Sequence, residues 1–341
     1  MPIERVLVIG YGSIGKRHLS IVRKNSSNVQ IMIFHHARSS QIPEMADSVT
    51  SSITDVLDFN PDVAIVANPA PFHLEMANAL ADLGCHLFIE KPISNKVEGV
   101  AEFLKKVDES NLICQVGYNL RFMPSLSCFR DLINRGYVGR PLSVRCEVGQ
   151  YLPSWRPDID YRNSVSSRSE LGGGALLELS HEIDYLRWIF GEVGWVNAWI
   201  GKVSELEIDV EDVAHLTIGF MAEHLEKSVV ANVNLDLFRQ DPVRKCVLVG
   251  EKGSLSWNGI SGCVDHFDPL EAKWKEVMLI PPLRNESYEV QWAHFLTCLK
   301  NNQKPLVDGL EGLRTLEVID MARRSARANG IKIKSLFAKT K

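Results

Sequence analysis

Gly10-Tyr11-Gly12-Ser13-Ile14-Gly15 limits what this chain can fold into more than any other stretch. It follows the apolar run Val6–Ile9 and opens a helical pattern, so it reads as a strand–turn–helix junction. In such a turn the first glycine permits the tight bend, the second lets backbone approach a pyrophosphate, and the third lets helix pack on strand. The helix start then offers its unbonded amides and positive dipole end to phosphate oxygens. A GxGxxG spacing alone is weak evidence. Between a strand and a helix it implies a dinucleotide site built on Gly10, Gly12, Ser13, Ile14 and Gly15.

The residues around this turn repeat the same rhythm. Runs Gln30–Phe34, Val63–Ala67, His86–Ile89 and Ile113–Val116 read as strands. Between them, Leu74, Ala77 and Leu80, then Val97, Val100, Leu104 and Val107, mark amphipathic helices. Strand–helix alternation of this kind means a parallel, doubly wound sheet. Ligands of such sheets gather outside the carboxyl ends of the strands. Asn68-Pro69 and Glu90-Lys91-Pro92 both fall there, with a new helical pattern expected from Ser94. Asn68, Pro69 and Glu90 are therefore candidate cofactor neighbours, and Lys91 can face a bound ligand. His73 is either a further neighbour or a helix-start residue.

The second strand ends Phe34-His35-His36-Ala37-Arg38-Ser39-Ser40, without the acidic residue that usually holds a ribose 2′-hydroxyl. Arg38, with a neighbouring serine and His36, can instead hold a 2′-phosphate through charge-assisted hydrogen bonds. The cofactor is thus NAD or NADP, with the balance towards NADP.

Composition narrows the partners. The 341 residues are 45% hydrophobic and 23% charged, as in an ordinary globular protein large enough for two domains. A net charge of -4 with no basic block argues against nucleic acid and anionic membranes. The seven cysteines are scattered without a CxxC pair, so neither a zinc site nor a disulfide framework is expected. No signal-peptide core or membrane span is visible, and reduced thiols point to the cytoplasm.

From Gly117 the rhythm changes. Ser143–Tyr151, Trp195–Ile200, Val213–Phe220, Val229–Phe238 and Lys245–Val249 alternate as strands with few helices between the later ones, so the second sheet should be antiparallel or mixed. Residues 152–171 form an irregular stretch rich in aromatics and arginines, a common composition for a binding loop. Then comes Gly172-Gly173-Gly174, followed by a helical pattern with Leu176, Leu179, Ile183 and Leu186 on its buried side. Glu178, His181 and Asp184 recur every three residues and should share one strip of one helix. A carboxylate beside an imidazole suits proton transfer, although a polar strip is commonly a solvated face. A zinc HExxH reading fails because Tyr185 stands where the second histidine would be.

The glycine turn, Glu90-Lys91-Pro92 and the triple-glycine helix carrying His181 and Asp184, in this order, resemble the Gfo/Idh/MocA oxidoreductases over roughly residues 3–330, including the late Glu289–Phe295 helix and the final helix through Ser325. The resemblance implies an N-terminal Rossmann domain over residues 1–120. It further implies a substrate-binding and oligomerisation α+β domain over 121–341, whose mainly antiparallel open sheet forms dimers or tetramers. It implies hydride transfer between a nicotinamide cofactor and a sugar or polyol carbon, with Lys91 and His181 as the catalytic pair and a Lys91–Pro92 bond that is often cis. One departure stands out: the family places an aspartate four residues before the histidine, whereas Leu177 occupies that place here and Glu178 stands three before. Either Glu178 or Asp184 then orients His181. The wording Leu177–Tyr185, with Gly117–Phe122, is similar to a bacterial subgroup associated with surface-sugar and sialic-acid-like biosynthesis.

On this reading His181 exchanges the hydroxyl proton while Lys91 donates to the developing alkoxide. Lys91 and His181 would also contact the substrate, with Arg121, Trp155, Arg156, Tyr161 and Arg168 as further candidates to hold its hydroxyl or acidic groups. Two other functions fit the same fold: a non-catalytic NAD(P)-binding regulator, and a transient-redox epimerase or lyase that regenerates its cofactor.

Overall fold

The computed structural model describes residues 3–26, 28–35, 42–221 and 228–335. His36, Arg38 and the serines after them lie outside the described residues. The chain divides into two compact units, one of residues 1–119 and 285–316, the other of residues 120–284 and 317–341.

In chain order the first unit begins β1 (Arg5–Ile9), α1 (Ser13–Asn25), β2 (Gln30–Phe34), β3 (Ser48–Thr50), α2 (Ile53–Phe59) and β4 (Val63–Val66). It continues α3 (His73–Asp82), β5 (His86–Ile89), α4 (Val100–Glu109) and β6 (Cys114–Val116). The second unit holds α5 (Pro124–Asn134), β7 (Pro141–Gly149), α6 (Ala175–Glu178), α7 (His181–Phe190), β8 (Val193–Gly201), β9 (Val213–Phe220) and β10 (Val230–Asp236). A meander follows: β11 (Val243–Gly250), β12 (Gly253–Asn258), β13 (Cys263–Asp268) and β14 (Lys273–Leu279). The chain ends with α8 (Glu286–Asn301), α9 (Gly309–Arg327) and β15 (Ile333–Lys334).

The first sheet is parallel in the order β3-β2-β1-β4-β5-β6, with Val8 opposite both Ile33 and Ile65. This is the order of a Rossmann sheet, and the direction of winding reverses between β1 and β4. Strands buried on both faces need near-continuous apolar runs. Val6–Ile9 and Val63–Val66 supply them, every residue being at most 1% exposed. Trp292 and Phe295 of α8 close one side of this core against Phe88, at 6.3 and 5.7 Å between ring centroids. Burying each such ring contributes about 1.5–3 kcal/mol.

The second sheet runs β14-β13-β12-β11-β7-β10-β9-β8-β15, with β7 and β10 parallel and the other neighbours antiparallel. The mixed, mostly antiparallel sheet expected from the sequence is therefore present. Trp257 of β12 anchors helices to it: its ring meets Tyr185 of α7 edge-on at 5.4 Å, and its N–H donates to Ser125 of α5 at 3.1 Å.

Three expectations need correction. The helix after Glu90-Lys91-Pro92 starts at Val100, not Ser94. Pro92, Ile93 and Ser94 are instead buried in an irregular turn, where Ile93 packs against Gly312. The helix meant to carry Glu178, His181 and Asp184 is broken, α6 ending at Glu178 and α7 starting at His181. At the break the Ser180 hydroxyl donates to Leu177 O at 2.9 Å, a local bond that competes with the helix ladder. Finally, β12 to β14 extend the sheet past Val249, where no strands were expected.

Candidate functional site

The glycine turn sits where the parallel sheet reverses. Gly10 has φ +89°, and a side chain there would come within 2.7 Å of Ala67 O and 2.9 Å of Asn68 N. The turn after β1 thus lies directly against the Asn68-Pro69 loop after β4. A side chain at Gly15 would run into the Gly10 carbonyl, whereas nothing lies within 4 Å of one at Gly12. Helix α1 starts there without a side-chain cap or an acidic residue in its first turn. Ser13 is exposed and Ile14 half-buried. A close-packed turn with one open glycine and uncapped amides fits a dinucleotide pyrophosphate.

The neighbouring strand ends carry the next candidates. Lys91, half-buried, follows β5, and its bond to Pro92 is cis, as the family resemblance implies. Glu90 is 7% exposed. Its Oε1 lies 2.6 Å from His18 Nε2, and its Oε2 accepts the Lys91 N–H at 3.2 Å. His73 is 1% exposed, with Nδ1 2.9 Å from Pro92 O and Nε2 2.7 Å from Asn68 O. It is thus the first residue of α3 and also a bridge between two loops at the sheet edge.

His18 escaped the sequence reading. Its signal was available, because Gly15, His18, Leu19 and Val22 share the buried face of α1. A histidine on such a stripe needs a buried partner, here 72 residues away in sequence.

In the second unit, α6 and α7 follow the triple glycine. Gly174 has φ +105°, and a side chain there would meet the Glu211 carboxylate at 2.5 Å. Glu211 Oε1 accepts the Leu176 N–H at 3.1 Å, which holds the start of α6. Burial pushes the Glu211 carboxyl above its ordinary pKa.

Glu178 and His181 are half-buried, and Asp184 is fully buried. The polar residues of α7 are not a solvated face. Asp184 takes both Nε and Nη2 of Arg121, at 2.9 and 2.7 Å, and Glu182 takes Arg244 Nε at 2.8 Å. Buried charges persist when paired in this way. Arg121, expected to hold substrate, is itself only 3% exposed.

The irregular stretch 152–171 winds through four short 3-10 turns. Trp155, Arg156 and Tyr161 line one pocket with Leu152, Ile159 and Ser166. Trp155 Nε1 donates to Gln150 O at 3.2 Å, and Tyr161 Oη accepts the Glu207 N–H at 3.3 Å. Exposed Arg168 donates to Arg162 O at 2.9 Å, and Arg156 is exposed. Among the described residues no cluster of three or more His, Cys, Asp and Glu side chains has the makings of a metal site.

Comparison with known proteins decides the family. Residues 4–118 match the model for the NAD-binding Rossmann fold of the Gfo/Idh/MocA oxidoreductases, and residues 130–334 match its C-terminal alpha/beta domain. The chain belongs to the Gfo/Idh/MocA family. It is 26% identical to the uncharacterized oxidoreductase YrbE of Bacillus subtilis, over 93% of each chain. It is also 26% identical to the scyllo-inositol 2-dehydrogenase (NAD(+)) of the same organism, over 80% of this chain and 77% of the relative. Two solved structures share this Gfo/Idh/MocA fold at low identity. Levoglucosan dehydrogenase with NADH and levoglucosan superposes with a TM-score of 0.83 at 20% identity, covering 98% of this chain and 99% of that one. The WlbA dehydrogenase of Bordetella pertussis, with NADH and UDP-GlcNAcA, gives 0.79 at 23% identity, again over 98% and 99%. As a Gfo/Idh/MocA member the chain is an oxidoreductase with an NAD-binding Rossmann domain.

Proposed function

We propose that this oxidoreductase transfers hydride between nicotinamide and a CH–OH carbon of a sugar, polyol or sugar derivative. The observation that carries the reading is the sheet edge of the first unit. There the open glycine turn, the Asn68 loop and Lys91 follow adjacent strands β1, β4 and β5. The substrate class draws on relatives named as inositol and levoglucosan dehydrogenases, the two inositol dehydrogenases aligned over 80% and 94% of this chain and the levoglucosan dehydrogenase over 45%. A role in bacterial surface-sugar metabolism rests on the wording of residues 117–122 and 177–185.

The bound nicotinamide accepts or returns the hydride. The chain's own residues handle the proton and the charge. Lys91, as an ammonium, donates to the oxygen that gains negative charge, and His181 takes or returns the hydroxyl proton. Either Glu178 or Asp184 orients His181, and Arg121 holds Asp184 in place by donating to both of its oxygens. Asn68, Pro69 and Glu90 shape the cofactor side. Trp155, Arg156, Tyr161 and Arg168 hold the substrate. Arg38 selects the 2′-phosphate of NADP. The second unit's sheet, with Trp199 and Trp274 about half exposed, is the proposed surface for a homodimer or homotetramer. The free cysteines fit a reducing cytoplasm. Among the described residues no helix is long and apolar enough to cross a membrane.

The test is a panel of inositols, aldoses, keto-sugars and nucleotide sugars read at the NAD(P)H absorbance. On the best substrate, Lys91→Ala and His181→Ala should each lower kcat by about 10²–10⁴-fold with cofactor affinity kept. Full turnover in His181→Ala would end the assignment. Stoichiometric NAD(P)H formation separates a dehydrogenase from an epimerase or lyase that recycles its cofactor.

A further inference from the structure

Lys91 is gripped on both sides by buried histidines that the proposed reaction does not use. On its N-terminal side, Glu90 sits in a slot with almost no slack. His18 Nε2 lies 2.6 Å from one carboxylate oxygen, while the other accepts the Lys91 N–H at 3.2 Å. A side chain at Gly117 would press within 2.9 Å of that carboxylate. The His18 ring is fixed in turn by Phe88 and Tyr288, with centroids at 4.9 and 6.2 Å. On the C-terminal side, Pro92 O lies 2.9 Å from His73 Nδ1, and the other ring nitrogen faces Asn68 O at 2.7 Å. His18 comes from the helix that opens at the glycine turn, and His73 from the helix that follows the Asn68 loop.

We propose that His18 and His73 are positioning residues, a two-sided clamp that sets Lys91 relative to the dinucleotide turn and the Asn68 loop. This rests on Lys91 being the proton-donating residue argued above. Neither histidine need touch substrate, because each acts on the backbone flanking the amine. A lysine on a long flexible stem gains little from a charge alone; its reach is useful when the Cα is fixed. A merely structural His18–Glu90 pair would stabilise the fold without being coupled to Lys91.

The experiment compares His18→Leu, His18→Gln and His73→Leu with the parent, each in the native and the Lys91→Ala background. Glutamine extends an N–H donor towards the place of Nε2; leucine fills space without one. His18→Leu and His73→Leu should lower kcat by about 10–100-fold with the cofactor KM unchanged, and His18→Gln should recover most of the loss. In the Lys91→Ala background the same changes should cost nothing further. Equal losses in both backgrounds, or full kcat per folded molecule in the leucine variants, would overturn the clamp. Should His18→Leu not fold, His18→Met, which keeps more of the ring's volume but has no donor, takes its place with the same outcomes. A crystal structure of the variant needs no substrate. A Lys91 Cα moved by more than about 0.5 Å supports the clamp, and an unmoved one overturns it. Failure of the underlying reading looks different: Lys91→Ala alone would then keep native turnover.

Discussion

Asp184 lies inside the fork of Arg121, with Nε 2.9 Å from Oδ2 and Nη2 2.7 Å from Oδ1, and neither residue is more than 3% exposed. Two parallel N–H···O bonds are a strong way to hold a carboxylate, and in a dry site each partner depends on the other. Removing one leaves a buried charge uncompensated, at about 3–5 kcal/mol. Arg121→Ala and Asp184→Ala should therefore each lower unfolding free energy by that amount in urea titrations, and the double variant by less than their sum. A substrate role for Arg121 would show differently, as a raised substrate KM with stability kept.

The glycine turn separates packing from binding. Gly15→Ala forces a methyl into the Gly10 carbonyl and should destabilise the first unit whether or not cofactor is present. Gly12 has φ -75° and open space at its Cβ, so Gly12→Ala should fold normally. If the pyrophosphate approaches there as proposed, the methyl blocks it, and NAD(H) affinity should fall by about tenfold or more. Calorimetric binding alongside thermal melts checks both. A Gly12→Ala protein with native affinity would move the pyrophosphate elsewhere.

These contrasts mark what the sequence makes legible. Strands β2, β5 and β9 run over the residues expected, because each is an apolar or alternating run bounded by turn residues. The places of the glycine turn after β1 and of Lys91 after β5 are legible for the same reason: local pattern plus the rule for sheet edges. Strand β14 was missed because Lys273, Lys275 and Glu276 leave no apolar face to read. The split between Glu178 and His181 was missed because periodicity does not register a serine bonding back to Leu177. The pairs Asp184–Arg121 and His18–Glu90 join residues 63 and 72 positions apart, and no local window contains both partners.

On the reading proposed above, cofactor choice turns on Arg38. With no acidic residue at the end of the second strand, nothing there favours a 2′-hydroxyl over a 2′-phosphate. A charged hydrogen bond from Arg38 to that phosphate contributes about 1.5–3 kcal/mol. Arg38→Ala should thus raise the KM for NADP by about tenfold or more and leave that for NAD nearly unchanged. A native enzyme that strongly prefers NAD, with the preference intact in Arg38→Ala, would remove the arginine from the site.

Glu211 gives the second unit a pH dependence of defined sign. Burial, the largest influence, raises its carboxyl above the ordinary 4.5, against the lowering effect of hydrogen bonds from its own and the Leu176 backbone N–H and of Arg323. Between 4.5 and the raised folded value, the folded chain holds a proton that the unfolded chain has lost. The folded state binds more protons there, so stability falls as pH rises through that window, at no more than about 1.4 kcal/mol per pH unit. Above the folded value the loss is complete and constant. Glu211→Gln keeps an oxygen for the Leu176 N–H but carries no charge, so it should match the parent below the window and exceed it at neutral pH. Urea titrations at several pH values read the difference directly. A glutamine variant less stable than the parent at neutral pH, with the gap closing towards acid, would mean that the ionised carboxylate, not the neutral acid, is the form that holds the triple-glycine turn.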